Sequence, residues 1–243
     1  MKPEFPDIHE IWVYLSGSPL LALILTLAAY QVGLVVYERL GRNPLANPVA
    51  IAVTLVAATL GAIDMPYATY FEGAQFVHFL LGTATVALAV PIHAGLKELR
   101  GRVVPLFAAL VAGGAMSIAS AVGIARWLGA DDAIVAALYA KSVTAPIAMG
   151  VAERIHASPT LTAVFAISTG ILGAVFARFV LDVVGSKAWW QRGFALGVAA
   201  HGIGTARALS IDAEAGRFAG LAMGLHGILG AIAIPLVVRC LPG

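Results

Sequence analysis

The sequence predicts an all-α membrane protein of seven to eight transmembrane segments, some of them broken or re-entrant, and three observations carry that prediction. The 243 residues are 60% hydrophobic and only 12% charged, with a mean hydropathy of +0.91, whereas soluble domains carry about 25% charged residues. Such a chain has too little polar surface to coat a globule in water. Eight stretches reach or approach the ~20 apolar residues that a spanning helix needs. The charges collect in the short joints between those stretches, as in "ERLGR", "KELRGR", "RWLGADD" and "DAEAGR".

In chain order, residues 1–17 form a short N-terminal segment. Its "IHEIWVYL" suits a position flat in the interface, with Trp12 and Tyr14 at headgroup depth. No cleavable signal peptide is expected ahead of it. The apolar segments follow at about 19–37, 43–63, 73–96, 103–125, 133–152, 157–177, 193–210 and 218–238. They read as one membrane domain over 1–243, with no second domain. Glycine (26 residues) and alanine fill the interiors, as in "VAGGAMSIASAVGIA". Small residues let helix backbones approach closely in lipid, where no hydrophobic drive pulls helices together, so a tightly packed bundle is expected.

Lys and Arg in short loops set orientation. Arg39 and Arg42 follow the first segment, and Lys97, Arg100 and Arg102 follow the third. The loop between the second and third holds only Asp64 and Glu72. The N-terminus is thus expected outside, with loops 38–42 and 97–102 cytoplasmic. Eight simple crossings then place Lys187 and Arg192 on the wrong side. Making the segment that holds Lys141 re-entrant restores the pattern. Seven spans plus one re-entrant element and eight full spans both remain open at this point.

Three interior stretches break the apolar monotony: "HFLLGTATVALAVPIHAG" (78–95), "YAKSVTAPIAMG" (139–150) and "VAAHGIGTARALS" (198–210). At an offset of 59 the first two align weakly, Gly82 with Lys141, Thr83 with Ser142 and Thr85 with Thr144. Hydroxyls beside Gly and Pro at mid-membrane depth suit a helix that breaks and lines a cavity. Gly82, Pro146, Gly202 and Gly204 are the candidate break residues. A cation at mid-bilayer costs about 2.5–3.5 kcal/mol on insertion scales and therefore faces protein or water. Lys141 lies nine residues into its segment, too deep to snorkel easily. It either meets an anion or braces its neighbours. Arg207 either joins the same site or reaches to headgroups, and His201 either joins it or is satisfied by a carbonyl.

No Asp or Glu falls inside the eight apolar cores. An ensemble of Lys, Arg, His and hydroxyls suits a small anion, and a carboxylate would accept charge-assisted hydrogen bonds from it. The candidate substrate-binding residues are Lys141, Ser142, Thr144, Thr83, Thr85, His201, Thr205 and Arg207. The net charge of +2 is too mild for nucleic acid, and the single Cys240 excludes a cysteine metal frame. Soluble catalytic motifs, P-loops and dinucleotide fingerprints are missing, so neither an enzyme, a cofactor nor a metal is expected.

The motifs "NPLANP", "LGTATVALAVP", "AKSVTAPIAM", "AAHGIGTARAL" and "GLAMGLHGIL" run in order along nearly the whole chain. In them the chain resembles the LrgB/CidB family of bacterial inner-membrane proteins, which includes antiholin-like proteins linked to murein hydrolase control and autolysis. It is also similar to the C-terminal part of the plastid glycolate/glycerate transporter. The resemblance implies a multi-pass inner-membrane protein that moves small monocarboxylates such as pyruvate, glycolate or lactate. The alternative it implies is an antiholin-like modulator acting with a small LrgA/CidA-type membrane partner. A distant likeness to elevator-type transporters implies a homodimer with two broken helices crossing at the substrate. The chain departs from the family pattern at Thr83, where a proline is usual, at Ala145, usually threonine, and at His226, usually asparagine.

Overall fold

The structure is a computed structural model and describes residues 19–87, 89, 90, 93 and 101–240; the side chains of residues 19, 76, 78, 81, 82, 84 and 85 are outside that description. The expected interfacial segment 1–17 and Pro91 therefore lie outside the described residues. The described elements are α-helices and one 3-10 turn: α1 (Pro19–Arg39), the turn Pro44–Ala46, α2 (Pro48–Ala62), α3 (Tyr67–Ala87), α4 (Val103–Trp127), α5 (Asp132–Leu138), α6 (Ala145–Arg154), α7 (Pro159–Val183), α8 (Trp189–Ile211) and α9 (Ala213–Cys240). They form two compact units, one up to Thr83 and one from Ala84 onward.

In the first unit, "NPLANP" is a pair of Asn-Pro caps. Asn43 Oδ1 accepts from the Leu45 amide at 3.0 Å, and Asn47 Oδ1 accepts from Val49 and Ala50 at 2.9 and 3.2 Å. Each proline then occupies the first helical turn, where a missing N–H costs nothing. The turn brings α2 against α1 so closely that a methyl at Gly33 would stand 2.5 Å from the Pro48 carbonyl oxygen. Thr26 on α1 meets the Tyr70 hydroxyl on α3 at 2.7 Å. Helix α3 runs without interruption through Gly82.

The second unit is organised by two helical hairpins. The long helix α8 cannot be a straight rod. At His201 the backbone leaves helical geometry, with φ 40° and ψ −128°. A Cβ added at Gly204 would lie 2.6 Å from the carbonyl oxygen of Leu196, a residue that a straight helix would place about 12 Å away. The chain therefore doubles back at His201. The arm before it, Trp189 to Ala200, runs parallel to α9: Gly193 presses on the Ala215 carbonyl and Gly197 on the Ala219 carbonyl. The returning arm runs antiparallel to α9, with Leu209 against Gly216 and Thr205 against Met223. Small residues make this possible, since any side chain at 193 or 197 would collide with backbone.

The other hairpin follows from the two long helices beside it. The start of α4 sits at the base of α8, where the Arg102 guanidinium lies 4.7 Å from the Trp190 ring centroid. With 25 residues, α4 carries the chain about 37 Å to the far end. There Gly129 (φ 74°) closes the helix, its conformation letting the Ala130 amide donate back to Ala125. Helix α7, also 25 residues, starts at that far end, capped by Ser158 and Pro159, and returns to the base of α8 through Gly185 (φ 71°). Residues 132–154 thus begin and finish at one end. They descend as α5, turn through the non-helical stretch 139–144 and climb back as α6. Val135, Tyr139, Ala148 and Val151 pack together with Val122 of α4 and Ile234 of α9.

The two hairpins enter from opposite ends, and their tips reach neighbouring turns of α9, Ser142 beside His226 and Thr205 beside Met223. Five described helices are long and apolar enough to cross a membrane by length and composition, but α8 among them dips in and returns. The stretch 132–154, which holds Lys141, folds as a helical hairpin, the shape that the re-entrant arrangement left open by the sequence would take. The stretch 189–211, whose sequence reads as a plain segment with a break, also folds back on itself. Lys187 and Arg192 accordingly stand at the same end as Arg102.

Candidate functional site

The tip of the first hairpin places its three polar residues in three directions. Lys141 Nζ donates to Ser117 Oγ of α4 at 2.9 Å. Ser142, 2% exposed, turns the other way and its Oγ lies 3.2 Å from Nε2 of His226 on α9. Thr144 is the N-cap residue of α6, without a side-chain capping bond, and Pro146 falls in the first turn of that helix. Helix α6 therefore begins where proline suits it, and the break lies in the six residues before.

Lys141 sits at the inner end of a cavity of about 890 Å³. Its walls are α4, α7 and the first arm of α8, and it extends from Pro105, Trp190 and Gln191 at the α8 base up to Lys141, Ser117 and Thr169. The walls are mostly apolar: Leu106, Met116, Leu172, Phe194 and Val198 contribute alongside Gly113 and Gly173. Ammonium and hydroxyl groups converge at one end, and no carboxylate lines the cavity among the described residues. Such an arrangement can hold a small anion by its charge and leave its apolar remainder against the walls. Of the hydroxyls here, Ser120 is already committed to its own helix, donating to the Met116 carbonyl at 2.7 Å.

The tip of the second hairpin is closed rather than open. His201, 4% exposed, has Nε2 at 2.8 Å from the Ala166 carbonyl oxygen of α7. A carbonyl only accepts, so Nε2 carries the proton. Gly170 makes room for this ring: a Cβ there would stand 2.6 Å from His201 Cε1. Gly202 follows the break directly and Gly204 lets the arms touch. Thr205 donates to the His201 carbonyl at 2.8 Å and approaches Met223 Sδ at 3.7 Å, so its hydroxyl is spent within the hairpin.

Within the second unit, Arg207 is not brought to the cavity that Lys141 lines. Arg207 lines a separate cavity at the base of α8. Thr83 is exposed and donates to its own helix at the Leu80 carbonyl, 2.8 Å away, while the side chain of Thr85 lies outside the described residues. Sequence reasoning missed Ser117 and Thr169 as neighbours of Lys141. The only signal for Ser117 was a hydroxyl on an otherwise apolar helix face. It also did not pair His226 with Ser142. His226 is 5% exposed, its Nδ1 has no hydrogen-bond partner, and neither does the buried Thr162 Oγ1. Gly114 is needed beside it, since a Cβ there would come within 2.9 Å of the imidazole. No cluster of His, Cys, Asp and Glu that could hold a metal occurs among the described residues.

Comparison with known proteins adds the lineage. Residues 26–240 match the model of the LrgB-like family. The chain is 27% identical over 218 residues to "Holin-like protein CidB" of Staphylococcus epidermidis, which covers 90% of this chain and 95% of that protein. It is 31% identical over 219 residues to "Uncharacterized protein YwbG" of Bacillus subtilis, covering 90% and 97%. It is 25% identical to "Holin-like protein CidB" of Staphylococcus aureus, covering 90% and 95%. No solved structure matches it. A family match across most of the chain, over the same residues that build both hairpins, makes this multi-pass bacterial membrane protein a member of the LrgB-like family.

Proposed function

We propose that the chain is a secondary transporter of small monocarboxylates such as pyruvate, glycolate or lactate across the bacterial inner membrane. The observation that carries this reading is Lys141, a cation at a hairpin tip, held by Ser117 inside a cavity of about 890 Å³ whose described lining has no acid. A charge placed at that depth is costly and pairs with something; here its described hydrogen-bond partner is a neutral hydroxyl. A substrate carboxylate would complete the set, accepting from Lys141 and Ser117, with Thr169 at the same end of the cavity. Gln191 and Trp190 stand at the other end, where substrate would enter. Two hairpins entering from opposite ends suit alternating access of the elevator kind, as in transporters whose site lies between broken helices; this is analogy from architecture. The end of the second unit with Arg102, Arg178, Lys187, Arg192, Arg207 and Arg217 is more basic than the end with Arg126, Arg154 and Arg239, which supports a cytoplasmic cavity mouth.

Uptake of labelled pyruvate or glycolate into proteoliposomes tests the proposal. Native protein should accumulate label and Lys141→Met should not, with equal insertion of both. Uptake by the variant at the native level would overturn the site; no uptake of any small carboxylate by native protein would overturn the function.

A second reading is favoured by the relatives' names, which are holin-like rather than transporter-like. On it the chain modulates murein hydrolase activity and autolysis together with a small LrgA/CidA-type partner. Lysis timing that depends on co-expressed partner and is indifferent to Lys141→Met would favour it over transport.

A further inference from the structure

We propose that the cavity at the base of the second hairpin is a phosphate-binding site, and that its ligand is the headgroup of an anionic phospholipid. This cavity, about 590 Å³, shares no lining residue with the one at Lys141. Arg178 of α7, Lys187 of the connecting loop, and Arg192 and Arg207 of the two α8 arms all line it, against the single carboxylate of Asp182. With Arg207 left out of the count, three cations still face one carboxylate, a surplus of two positive charges in one concavity.

The cations are not equivalent. Arg192 is the braced one: its guanidinium donates to Asp182 Oδ1 at 2.7 Å and to the Ser186 carbonyl at 2.8 Å, and its side chain is 14% exposed. Asp182 thus orients Arg192 and neutralises little else. Arg178 is only loosely associated with that carboxylate, 3.8 Å away, with side chains 71% and 53% exposed. Lys187 is exposed at the rim. A planar guanidinium fixed in place beside exposed cations suits phosphate oxygens, which arginine engages in a fork.

Position chooses the lipid as the source. Arg178 lies five residues before the end of α7, so it stands about 7–8 Å below that end, within the headgroup zone. Trp189, also lining the cavity, is a residue type that settles at this depth. Alongside the basic rim, Phe176, Phe179, Val180 and Val183 of α7 are 51–88% exposed, an apolar track for acyl chains. Basic concavities between membrane helices at the headgroup level are where anionic lipids dock. A bound phosphate here would touch α7 and both arms of α8 at once.

Thermal unfolding of the purified protein, titrated with phosphatidylglycerol, with phosphatidylcholine and with inorganic phosphate, tests this. Saturating phosphatidylglycerol should raise Tm by about 5 °C through mass action, and phosphatidylcholine should not. Lys187→Gln, in an exposed loop, should weaken the phosphatidylglycerol midpoint about fivefold, the effect of one basic residue at a lipid surface. A rise with inorganic phosphate that Lys187→Gln also weakens would keep the phosphate site and name the free anion as its ligand. Equal effects of the two lipids without a phosphate response would overturn the proposal, as would a Lys187→Gln variant that titrates like native protein. No transport is measured, so the result stands apart from the Lys141 reading.

Discussion

The two hairpin tips reach the same depth by different means, and the difference separates chemistry from anchorage. The first tip is six residues of non-helical chain, 139–144, that present an ammonium group to a cavity. The second is a break at one residue, His201, whose ring is pinned to the Ala166 carbonyl and fitted over Gly170. An open tip whose ammonium group is held by a neutral hydroxyl can exchange that partner. A closed tip with its polar atoms spent is a joint. Both look alike in sequence, as polar residues beside glycine or proline in an apolar run.

The sharpest way to break this comparison is at Lys141. Lys141→Met should reduce uptake more than about 30-fold, the equivalent of the 2 kcal/mol or more lost when one partner of a buried charge pair is removed. Its Tm should hold or rise, because a mid-membrane cation has been deleted. A collapse of Tm would instead make Lys141 a brace. At the other tip the effects should exchange places. His201→Ala should cost about 1–3 kcal/mol of stability, through lost packing and an unpaired carbonyl, read as a lower Tm. Gly170→Ala pushes the same ring off Ala166, so the double variant should be no less stable than the worse single one; additive losses would show that ring and glycine act independently. Ser117→Ala should weaken substrate affinity by about fivefold, one hydrogen bond's worth, with uptake at saturation preserved. Ser120→Ala should change neither, since that hydroxyl serves its own helix; an uptake defect would put the substrate deeper along α4.

Much of the architecture was readable in advance because lipid enforces simple rules. Each of the eight apolar stretches overlaps a described helix, 73–96 only in part, and the charge conflict at Lys187 and Arg192 offered a re-entrant segment around Lys141 as one of two arrangements. The doubling back of α8 was not readable. A crossing helix and a hairpin of two short arms have the same composition, and only contacts such as Gly204 against Leu196 tell them apart. The cavity was half legible. Lys141 declared itself by depth, but a lone Ser or Thr in an apolar helix usually bonds its own backbone, as Ser120 does, so nothing marked Ser117 as different. Arg207 looked like a partner of Lys141 because sequence distance along α8 hides the reversal at His201, which returns Arg207 to the base.

The seam between the first arm of α8 and α9 has a further consequence. Gly193 and Gly197 lie on the Ala215 and Ala219 carbonyls with no space for a methyl group, and residues this close interlock like teeth on a rack. Sliding would have to proceed by a whole helical turn, about 5.4 Å. The arm and α9 are therefore one machine part. Any motion that opens the cavity has to carry both together.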